Sequence, residues 1–434
     1  MDGRPMCPRR PPLPRGSPLP ANLFPAPTLF LISILVLVLA GGCSEAGSLE
    51  LSTDREGQSL DSWAGVEPGV VEVRLRPDPG GQWVRWYDFD LVGARGREVT
   101  IRILDAHRAT AAEAFHWERP FFSEDGGENW DRLEEARMDG ATFVFTLVPG
   151  TDTVRLAQQP AYPRARWTAL LHEMADHPSV LWVDSAGTSV EGRPIEVIAV
   201  ADASPTDLAD APRPALWVLA RQHPAETGSS FMAEGFLRWV LSSNPEAVEL
   251  RKGHAIFVAG MVNPDGVVSG HFRSNAAGEN LNRHWEDPDP EGAPEVLALR
   301  RAILDHHEGG HPVRVLLDLH SHPTVRQNFM YWHDVSHAEP GLVREARRLQ
   351  LHLFRLDRGF SPVASRGEVP GAEGVPRGLV TSWAWEALGA QAITMESSMQ
   401  DIRRPFSPTR PMTPERHEEL GRNLAQALAR TLHP

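Results

Sequence analysis

Residues 215–228 read ALWVLARQHPAETG, and this stretch decides the fold class. The apolar run 215–220 contains no charged side chain and is typical of a strand buried on both faces, as in parallel sheets. His223 and Glu226 follow this strand before the next predicted helix. Because ligands of open α/β sheets bind at the carboxyl ends of strands, these two side chains are candidates to hold one metal ion. By itself a His-x-x-Glu pair is a weak signal in a chain with 18 histidines.

A second predicted strand strengthens the metal-site hypothesis. Residues 313–320 (VRVLLDLH) end in a histidine, His320. Two strand ends would then supply His, Glu and His, the three-ligand set of catalytic zinc sites, which leave one position for water. We expect Asp318 or a backbone carbonyl to orient one imidazole. The His-rich segment 305–311 (DHHEGGH) is interpreted as a helix end, because histidine suits the negative end of the helix dipole and glycine the C-cap.

The chain is predicted to contain two folded units. Its 434 residues exceed the length at which a single core usually stops growing. Short β-type runs separated by Gly-rich turns predict a small β-sandwich domain over 66–160. Strands alternating with amphipathic helices predict an α/β catalytic domain over 161–434.

The individual elements are predicted from the same periodicities. In the first unit the predicted strands are 70–76, 83–91, 98–104 and 142–148. In the second unit the predicted strands are 215–220, 255–261, 313–320 and 391–396, and the predicted helices are 165–176, 228–242, 293–306, 341–356 and 414–432.

The N-terminal residues are predicted to be an export signal. Arginines precede an apolar run at 29–40, which is shorter than the roughly 20 residues needed to span a bilayer. The sequence LAGGC at 39–43 resembles a bacterial lipoprotein cleavage box, in which the cysteine becomes the lipid-bearing first residue. We therefore predict a signal peptide over 1–42, a lipid on Cys43, a tether over 43–65, and an exported protein anchored to a bacterial membrane. An uncleaved anchor or a plain signal peptide is the alternative.

Composition excludes some classes of function. The net charge is -14 and the sequence has no long basic run, which argues against nucleic-acid binding, because phosphates need clustered Lys and Arg. Cys7 and Cys43 are the two cysteines, so no disulfide framework is expected to support the fold.

Several ordered motifs resemble the zinc carboxypeptidase family, and specifically its cytosolic-carboxypeptidase-like branch. They are GTSVEGRP at 187–194, RQHPAETGSSF at 221–231, NPDGVVSGHFR at 263–273, NLNR at 280–283, DLHSH at 318–322 and TMESS at 394–398. Ala225 stands where that branch usually has glycine. The run RPFFSEDGG at 119–127 resembles the β-sandwich that precedes the catalytic domain there. The resemblance covers most of 70–430 and implies a zinc-carboxypeptidase-like α/β domain with a central mixed sheet.

The resemblance also implies an activity and a set of roles. The activity is that of a metallocarboxypeptidase with one zinc ion per chain, acting on peptide or protein C-termini. The resembling branch removes acidic C-terminal residues, so the resemblance implies the same preference here. The implied roles are metal ligands for His223, Glu226 and His320, general base for Glu396, oxyanion stabiliser for Arg273, holders of the substrate's terminal carboxylate for Asn282 and Arg283, and pocket residue for Arg377.

Two alternatives stay open at the level of sequence. One is an acyl-amino-acid deacylase or peptidoglycan amidase on the same zinc scaffold. The other is a non-catalytic binding lipoprotein that keeps the fold. Pancreatic-type relatives close the site with a tyrosine, whereas Tyr87, Tyr162 and Tyr331 all lie outside the stretch that leads to Glu396. That role is therefore left unassigned.

Overall fold

The computed structural model of the protein describes residues 48–202, 213–333, 340–362, 367–368, 378–403 and 409–433. These residues belong to one compact unit that begins at Gly47. The predicted signal peptide, Cys43 and Arg377 lie outside the described residues.

Ten strands of the N-terminal part form two five-stranded sheets with a shared core. The strands are β1 Glu50–Ser52, β2 Ser62–Glu67, β3 Val70–Arg74, β4 Asp88–Val92, β5 Val99–Ile103, β6 Phe121–Ser123, β7 Asp131–Arg132, β8 Arg137–Asp139, β9 Thr142–Leu147 and β10 Thr153–Ala157. The strand orders are β1-β4-β10-β6-β7 and β2-β3-β5-β9-β8. Side chains that alternate along each strand meet between the sheets, with Phe89 and Leu156 from one sheet and Ile101 and Phe145 from the other. This is the predicted β-sandwich.

The tether predicted over 43–65 is wrong for its described part. Glu50–Ser52 pairs antiparallel with β4, and Ser62–Glu67 pairs with β3. Both strands are short and largely exposed, so their sequences lack the apolar alternation that marks a half-buried strand. The sandwich therefore begins about 15 residues earlier than the boundary predicted from the sequence.

The second part is built on an eight-stranded mixed sheet. Its strands are β11 Val180–Thr188, β12 Pro194–Val200, β13 Ala215–Ala220, β14 Ala255–Ala259, β15 Val313–His322, β16 Phe329–His333, β17 Gly367–Glu368 and β18 Gln391–Ser398. The order is β11-β12-β14-β13-β15-β18-β16-β17. The four central strands β14, β13, β15 and β18 run parallel, whereas β12 and β16 join them antiparallel on either side. The predicted central mixed sheet is confirmed.

Helices cover both faces of this sheet, as a buried parallel sheet requires. The helices are α1 Arg164–Met174, α2 Thr227–Val240, α3 Pro245–Gly253, α4 Pro264–Ser269, α5 Pro294–Glu308, α6 Pro340–Leu356, α7 Val380–Leu388 and α8 Pro414–Leu432. One apolar core joins the sheet to α2, α6 and α8, and another joins the opposite face to α5 and α7. Among these described segments, no helix combines the length and apolarity that crossing a membrane requires.

The sequence predicted the four central strands and the five longest described helices of this domain, but it missed the hairpin of β11 and β12, the strand β16 and the helices α3 and α7. The run 215–220 is a strand with the predicted bounds, and the helix predicted over 414–432 is α8. β11 is an edge strand whose residues are half-buried or exposed, so no clear apolar period marks it.

Candidate metal centre and catalytic cavity

The carboxyl ends of three neighbouring parallel strands bring the predicted site residues together. β13, β15 and β18 lie side by side in the sheet. His223 and Glu226 occupy the turn between β13 and α2, with Glu226 at the N-terminal boundary of that helix. His320 lies near the end of β15, and Glu396 in β18 is its direct partner in the strand register. Strand termini at one sheet edge are where ligands of α/β folds bind.

Arg221 shapes the turn that carries two of the ligands. Its φ of 64° is in the left-handed region, where a residue other than glycine costs of order 1 kcal/mol or more. Its buried guanidinium donates to the carbonyl of Pro224 at 2.6 Å and to the hydroxyl of Ser230 at 3.2 Å. Burial lowers the pKa of Arg221 to about 9. The side chain thus ties the turn to the start of α2.

His223, Glu226 and His320 form one buried cluster. One donor atom from each lies within 4.8 Å of the others. Nδ1 of His223 is 2.7 Å from Oε1 of Glu226, and Nδ1 of His320 is 2.7 Å from Oε2 of the same carboxylate. Both imidazoles therefore turn the same nitrogen toward a shared point beside the Glu226 carboxylate.

The Nε2 atoms of the two imidazoles also have hydrogen-bond partners. Nε2 of His223 lies 3.1 Å from the side-chain oxygen of Asn280, and Nε2 of His320 lies 2.8 Å from Oδ2 of Asp318. Gln222 donates to the second oxygen of Asp318 at 2.7 Å. Partners of this kind fix the orientation of metal-binding histidines. The expected orienting role of Asp318 matches this geometry, whereas the contact with Asn280 was not predicted.

The charges of the cluster suit a cation. Burial lowers the pKa of His223 to about 4, and the Arg273 cation acts in the same direction, so this imidazole is neutral near pH 7. Burial raises the pKa of Glu226, but His223 and His320 outweigh burial and hold it well below the usual value. For His320, burial is outweighed by Asp318 and Glu226, which raise its pKa well above normal. Because a metal ion binds the neutral form of an imidazole, metal binding at this cluster is expected to release a proton.

Glu396 has the properties of a general base beside this cluster. Its Oε2 atom is buried and has no hydrogen-bond partner among the described residues. The pKa of Glu396 is raised to about 8, mainly by burial and also by the Glu226 and Asp318 carboxylates, while His320 and Arg273 act in the opposite direction. A carboxylate with a pKa near neutral can both accept and return a proton during one reaction.

These residues line one open cavity of about 390 Å³. Arg273 and Arg283 lie in its wall, as predicted from the sequence. Asn282 also lines it, but its side chain donates to Asp318 at 3.1 Å and accepts from the backbone N–H of Val380 at 3.0 Å. The Asn282 amide thus supports Asp318, the hydrogen-bond partner of His320. Its contact with substrate stays a prediction.

Two parts of the cavity wall were not predicted. Tyr331 in β16 lines the cavity and is paired with Thr394, two residues before Glu396. Thr110, Ala111 and Glu113 reach it from the β-sandwich. No local motif marks these positions, because strand pairing and domain packing bring them there.

The His-rich segment at 305–311 has structural contacts, as predicted. Nδ1 of His306 bonds to the carbonyl of Ala302 within α5, and the ring packs 4.3 Å from that of Phe257. Nδ1 of His307 accepts from the N–H of Val313 at 3.2 Å. The metal-binding cluster found within the described ranges is the one formed by His223, Glu226 and His320.

This donor set fits zinc. Two imidazoles and one carboxylate are a common ligand set of catalytic zinc sites, and the half-buried carboxylate of Glu396 lies in the same cavity. Fold and site together define a metallohydrolase of the α/β class. A profile described as zinc carboxypeptidase matches residues 167–432, and one described as the cytosolic carboxypeptidase N-terminal domain matches residues 51–158. The chain belongs to the zinc carboxypeptidase family, whose members are zinc-dependent hydrolases of peptide bonds.

Curated relatives agree with this assignment. The chain is 33% identical to mouse cytosolic carboxypeptidase 6 over 314 residues, which is 68% of this chain and 58% of that protein. It thus matches less than two thirds of the mouse protein's length. It is also 25% identical to an uncharacterised protein of Zymomonas mobilis over 371 residues, covering 83% of this chain and 90% of that protein.

Solved structures share the whole two-part fold. A metallo-carboxypeptidase from Burkholderia cenocepacia has a TM-score of 0.80 at 24% identity, covering 89% of this chain and 99% of that one. A metallo-carboxypeptidase from Pseudomonas aeruginosa, solved in complex with (2-guanidinoethylmercapto)succinic acid, has a TM-score of 0.79 at 25% identity, covering 88% and 99%. The comparisons favour peptidase chemistry over the deacylase, amidase and non-catalytic alternatives.

Proposed function

We propose that this protein is a zinc metallocarboxypeptidase that removes residues from the free C-termini of peptides or proteins, with a preference for acidic ones. The observation that carries the proposal is the single cavity in which Glu396, Arg273 and Arg283 lie beside the three metal ligands. A base, an oxyanion partner and a carboxylate partner around one metal centre are the groups that exopeptidase chemistry requires.

Each of the predicted site residues has a defined role in this reaction. His223, Glu226 and His320 would hold the zinc ion, which when bound would polarise the scissile carbonyl and lower the pKa of water. Glu396, in the cavity wall, takes the proton of the attacking water and delivers it to the leaving amine. Arg273 stabilises the negative charge that develops on the carbonyl oxygen.

The choice of C-termini is assigned to Arg283. A planar guanidinium binds a carboxylate through two parallel hydrogen bonds, which a lysine ammonium does not reproduce. Arg283 follows Asn282 in the wall of the cavity. Binding of a succinic acid derivative by the Pseudomonas aeruginosa relative supports a carboxylate-accepting site in this scaffold.

A peptide panel tests this assignment. We expect efficient cleavage of peptides with a free C-terminus and none of the same peptides carrying a C-terminal amide, with products measured by mass spectrometry. Arg283→Ala should lower kcat/KM for every substrate by about 10- to 100-fold, the range for losing hydrogen bonds to a charged group. Arg301→Ala, at an exposed position of α5, is a control that should leave kcat/KM unchanged. Efficient cleavage of amidated peptides would contradict the proposal.

The same panel tests the preference for acidic residues. Arg377 precedes α7 in the sequence and is proposed to face the side chain of the C-terminal residue. Arg377→Ala should then cost about 1.5–3 kcal/mol for peptides ending in Glu or Asp, because one charge-assisted hydrogen bond is lost. Peptides ending in Leu or Phe should be unaffected. Equal losses for all peptides would assign Arg377 another role.

Export and lipid anchoring complete the proposal. The apolar run 29–40 and the sequence LAGGC at 39–43 support a lipid on Cys43 and a place at a bacterial membrane. In a bacterial host, Cys43→Ser should move the protein from the membrane fraction to a soluble or unprocessed form, as measured by fractionation and intact mass. Wild-type protein that is exported but already soluble would refute the anchor.

A further inference from the structure

A carboxylate of the β-sandwich holds the backbone of the segment 272–274, which carries Arg273. Asp78 lies in the turn between β3 and β4 and is 3% exposed. Its Oδ1 accepts from the N–H of Phe272 at 2.7 Å, and its Oδ2 accepts from the N–H groups of Arg273 and Ser274, both at 2.8 Å. Three successive amides of the catalytic domain therefore converge on one side chain of the other domain.

The segment held by Asp78 is bonded in turn to the metal-binding turn. The carbonyl of Phe272 accepts from the N–H of Ala225 at 3.1 Å. Ala225 lies between the ligands His223 and Glu226 in the sequence. Trp86 of the β-sandwich packs in the same apolar cluster as Ala225 and Phe272. Asp78 is thus connected to the metal-binding turn through the backbone of Phe272, which bonds to Asp78 by its N–H and to Ala225 by its carbonyl.

Neighbouring contacts press the same region against the β-sandwich. The N–H of Gly57 donates to the carbonyl of Val268 at 3.0 Å. Gly270 has a φ of 65°, and a Cβ atom there would lie 2.6 Å from the carbonyl oxygen of Gly57. Close approach of the two backbones therefore requires glycine at 270. The segment around Gly270 is therefore in direct backbone contact with the sandwich.

The chemistry of a carboxylate suits three amides in a way that its neutral isostere does not. An ionised aspartate only accepts hydrogen bonds and offers about four lone pairs on two oxygens. Hydrogen bonds to a charged acceptor are also stronger than neutral ones. In Asp78→Asn, the Nδ2 group would point hydrogens at one or two of the N–H groups of Phe272, Arg273 and Ser274. The segment would then have to shift.

Arg273 is the residue that such a shift would move. It lines the cavity, and its positive charge lowers the pKa of Glu396 and of His223. Its own backbone N–H is the central one of the three that Asp78 accepts. A shift of the backbone at 272–274 would therefore move the guanidinium of Arg273.

We propose that Asp78 is a positioning residue of the catalytic reaction: by fixing the backbone of 272–274, it holds the Arg273 guanidinium in the cavity beside Glu396. This inference rests on the role that the proposed function gives to Arg273. The β-sandwich is accordingly a structural part of the active site, because one of its side chains aligns a group that acts on the substrate.

A double-variant cycle tests this inference in the full-length, zinc-loaded protein. Asp78→Asn should lower kcat by about 10- to 100-fold, the effect of misplacing a catalytic group by around 1 Å. KM should stay within about twofold, since Asp78 does not contact substrate. Arg273→Gln should lower kcat by about 10²- to 10³-fold, as removal of an oxyanion partner does. The double variant should be no slower than Arg273→Gln alone, because Asp78 acts through Arg273.

Controls separate positioning from a general loss of domain packing. Arg132→Gln removes the ion pair between Arg132 of the sandwich and Asp401 of the catalytic domain, which involves neither Asp78 nor the segment 272–274. It should lower the melting temperature and leave kcat unchanged. Zinc content should stay at one per chain in all variants. Asp78→Glu is the second variant, since it keeps both acceptor oxygens but lengthens the side chain, and it should lower kcat in the same non-additive way.

Several results would overturn the inference. One is an Asp78→Asn effect that multiplies the Arg273→Gln effect, and another is a change in KM alone. A loss of zinc or of the folded state in both Asp78 variants would make Asp78 a folding residue. If Arg273→Gln itself leaves kcat unchanged while Glu396→Gln abolishes turnover, the role of Arg273 fails and the metallopeptidase assignment stands.

Discussion

Glu396→Gln should retain zinc and the fold and lose at least about 10²-fold in kcat, because it removes a proton acceptor and changes little else. The side chain is half-buried in β18, directly opposite His320, and its Oε2 atom has no partner within the described part of the chain. Glutamine has nearly the same shape but no basic oxygen. The comparison is made by steady-state turnover of a peptide with a free C-terminus.

Two measurements guard the interpretation of this variant. Zinc content and melting temperature should match the wild type, which shows that the loss is catalytic. Glu386→Gln changes an exposed carboxylate on the nearby helix α7 and should retain full turnover. Activity of Glu396→Gln within about threefold of wild type would remove Glu396 from the mechanism, since general-base catalysis contributes 10²-fold or more.

Each of the variants His223→Ala, Glu226→Ala and His320→Ala should lose the bound zinc and with it all turnover. The donor atoms of these residues lie within 4.8 Å of one another, and each variant leaves only two protein ligands of the usual three. Zinc per chain is measured by mass spectrometry of the purified proteins, with about one expected for wild type.

The loss of zinc should also lower stability. A ligand that binds only the folded state stabilises it by RT ln(1 + [L]/Kd), which is about 4 kcal/mol at a thousandfold excess over Kd. Thermal unfolding of wild type should therefore shift upward with added zinc, while the three variants should not respond. His311→Ala, at the end of α5, is the matched control and should keep both zinc and turnover. Full zinc in any ligand variant would mean that the site lies elsewhere.

The sequence predicted the metal site because all of its ligands follow long, uniform elements. β13 is a continuous apolar run and β15 is a largely apolar one, and His223 and His320 lie at or just after the ends of those runs. Parallel strands present their carboxyl ends at one edge, so separate positions in sequence could be placed together without knowledge of the loops. Glu396 is predicted only through the resemblance of TMESS at 394–398 to the family, and the strand register places it beside His320.

Features that depend on contacts between distant segments were not predicted. Asp78 and Phe272 are 194 residues apart, and nothing in the turn around Asp78 indicates what its carboxylate accepts. Asn280 holds His223 through a loop whose path the sequence does not specify. The sequence predicts a tether where the edge strands β1 and β2 lie, because exposed strands lack the apolar alternation that identifies buried ones.

The central claim is that one zinc ion on His223, Glu226 and His320 drives removal of C-terminal residues. Zinc-free protein, titrated with zinc and assayed by mass spectrometry on a peptide with a free C-terminus, tests it most directly. We predict products shortened one residue at a time from the C-terminus, with turnover rising linearly until about one zinc per chain and then staying constant. Turnover that is independent of zinc, or products cut at internal bonds, would contradict the account.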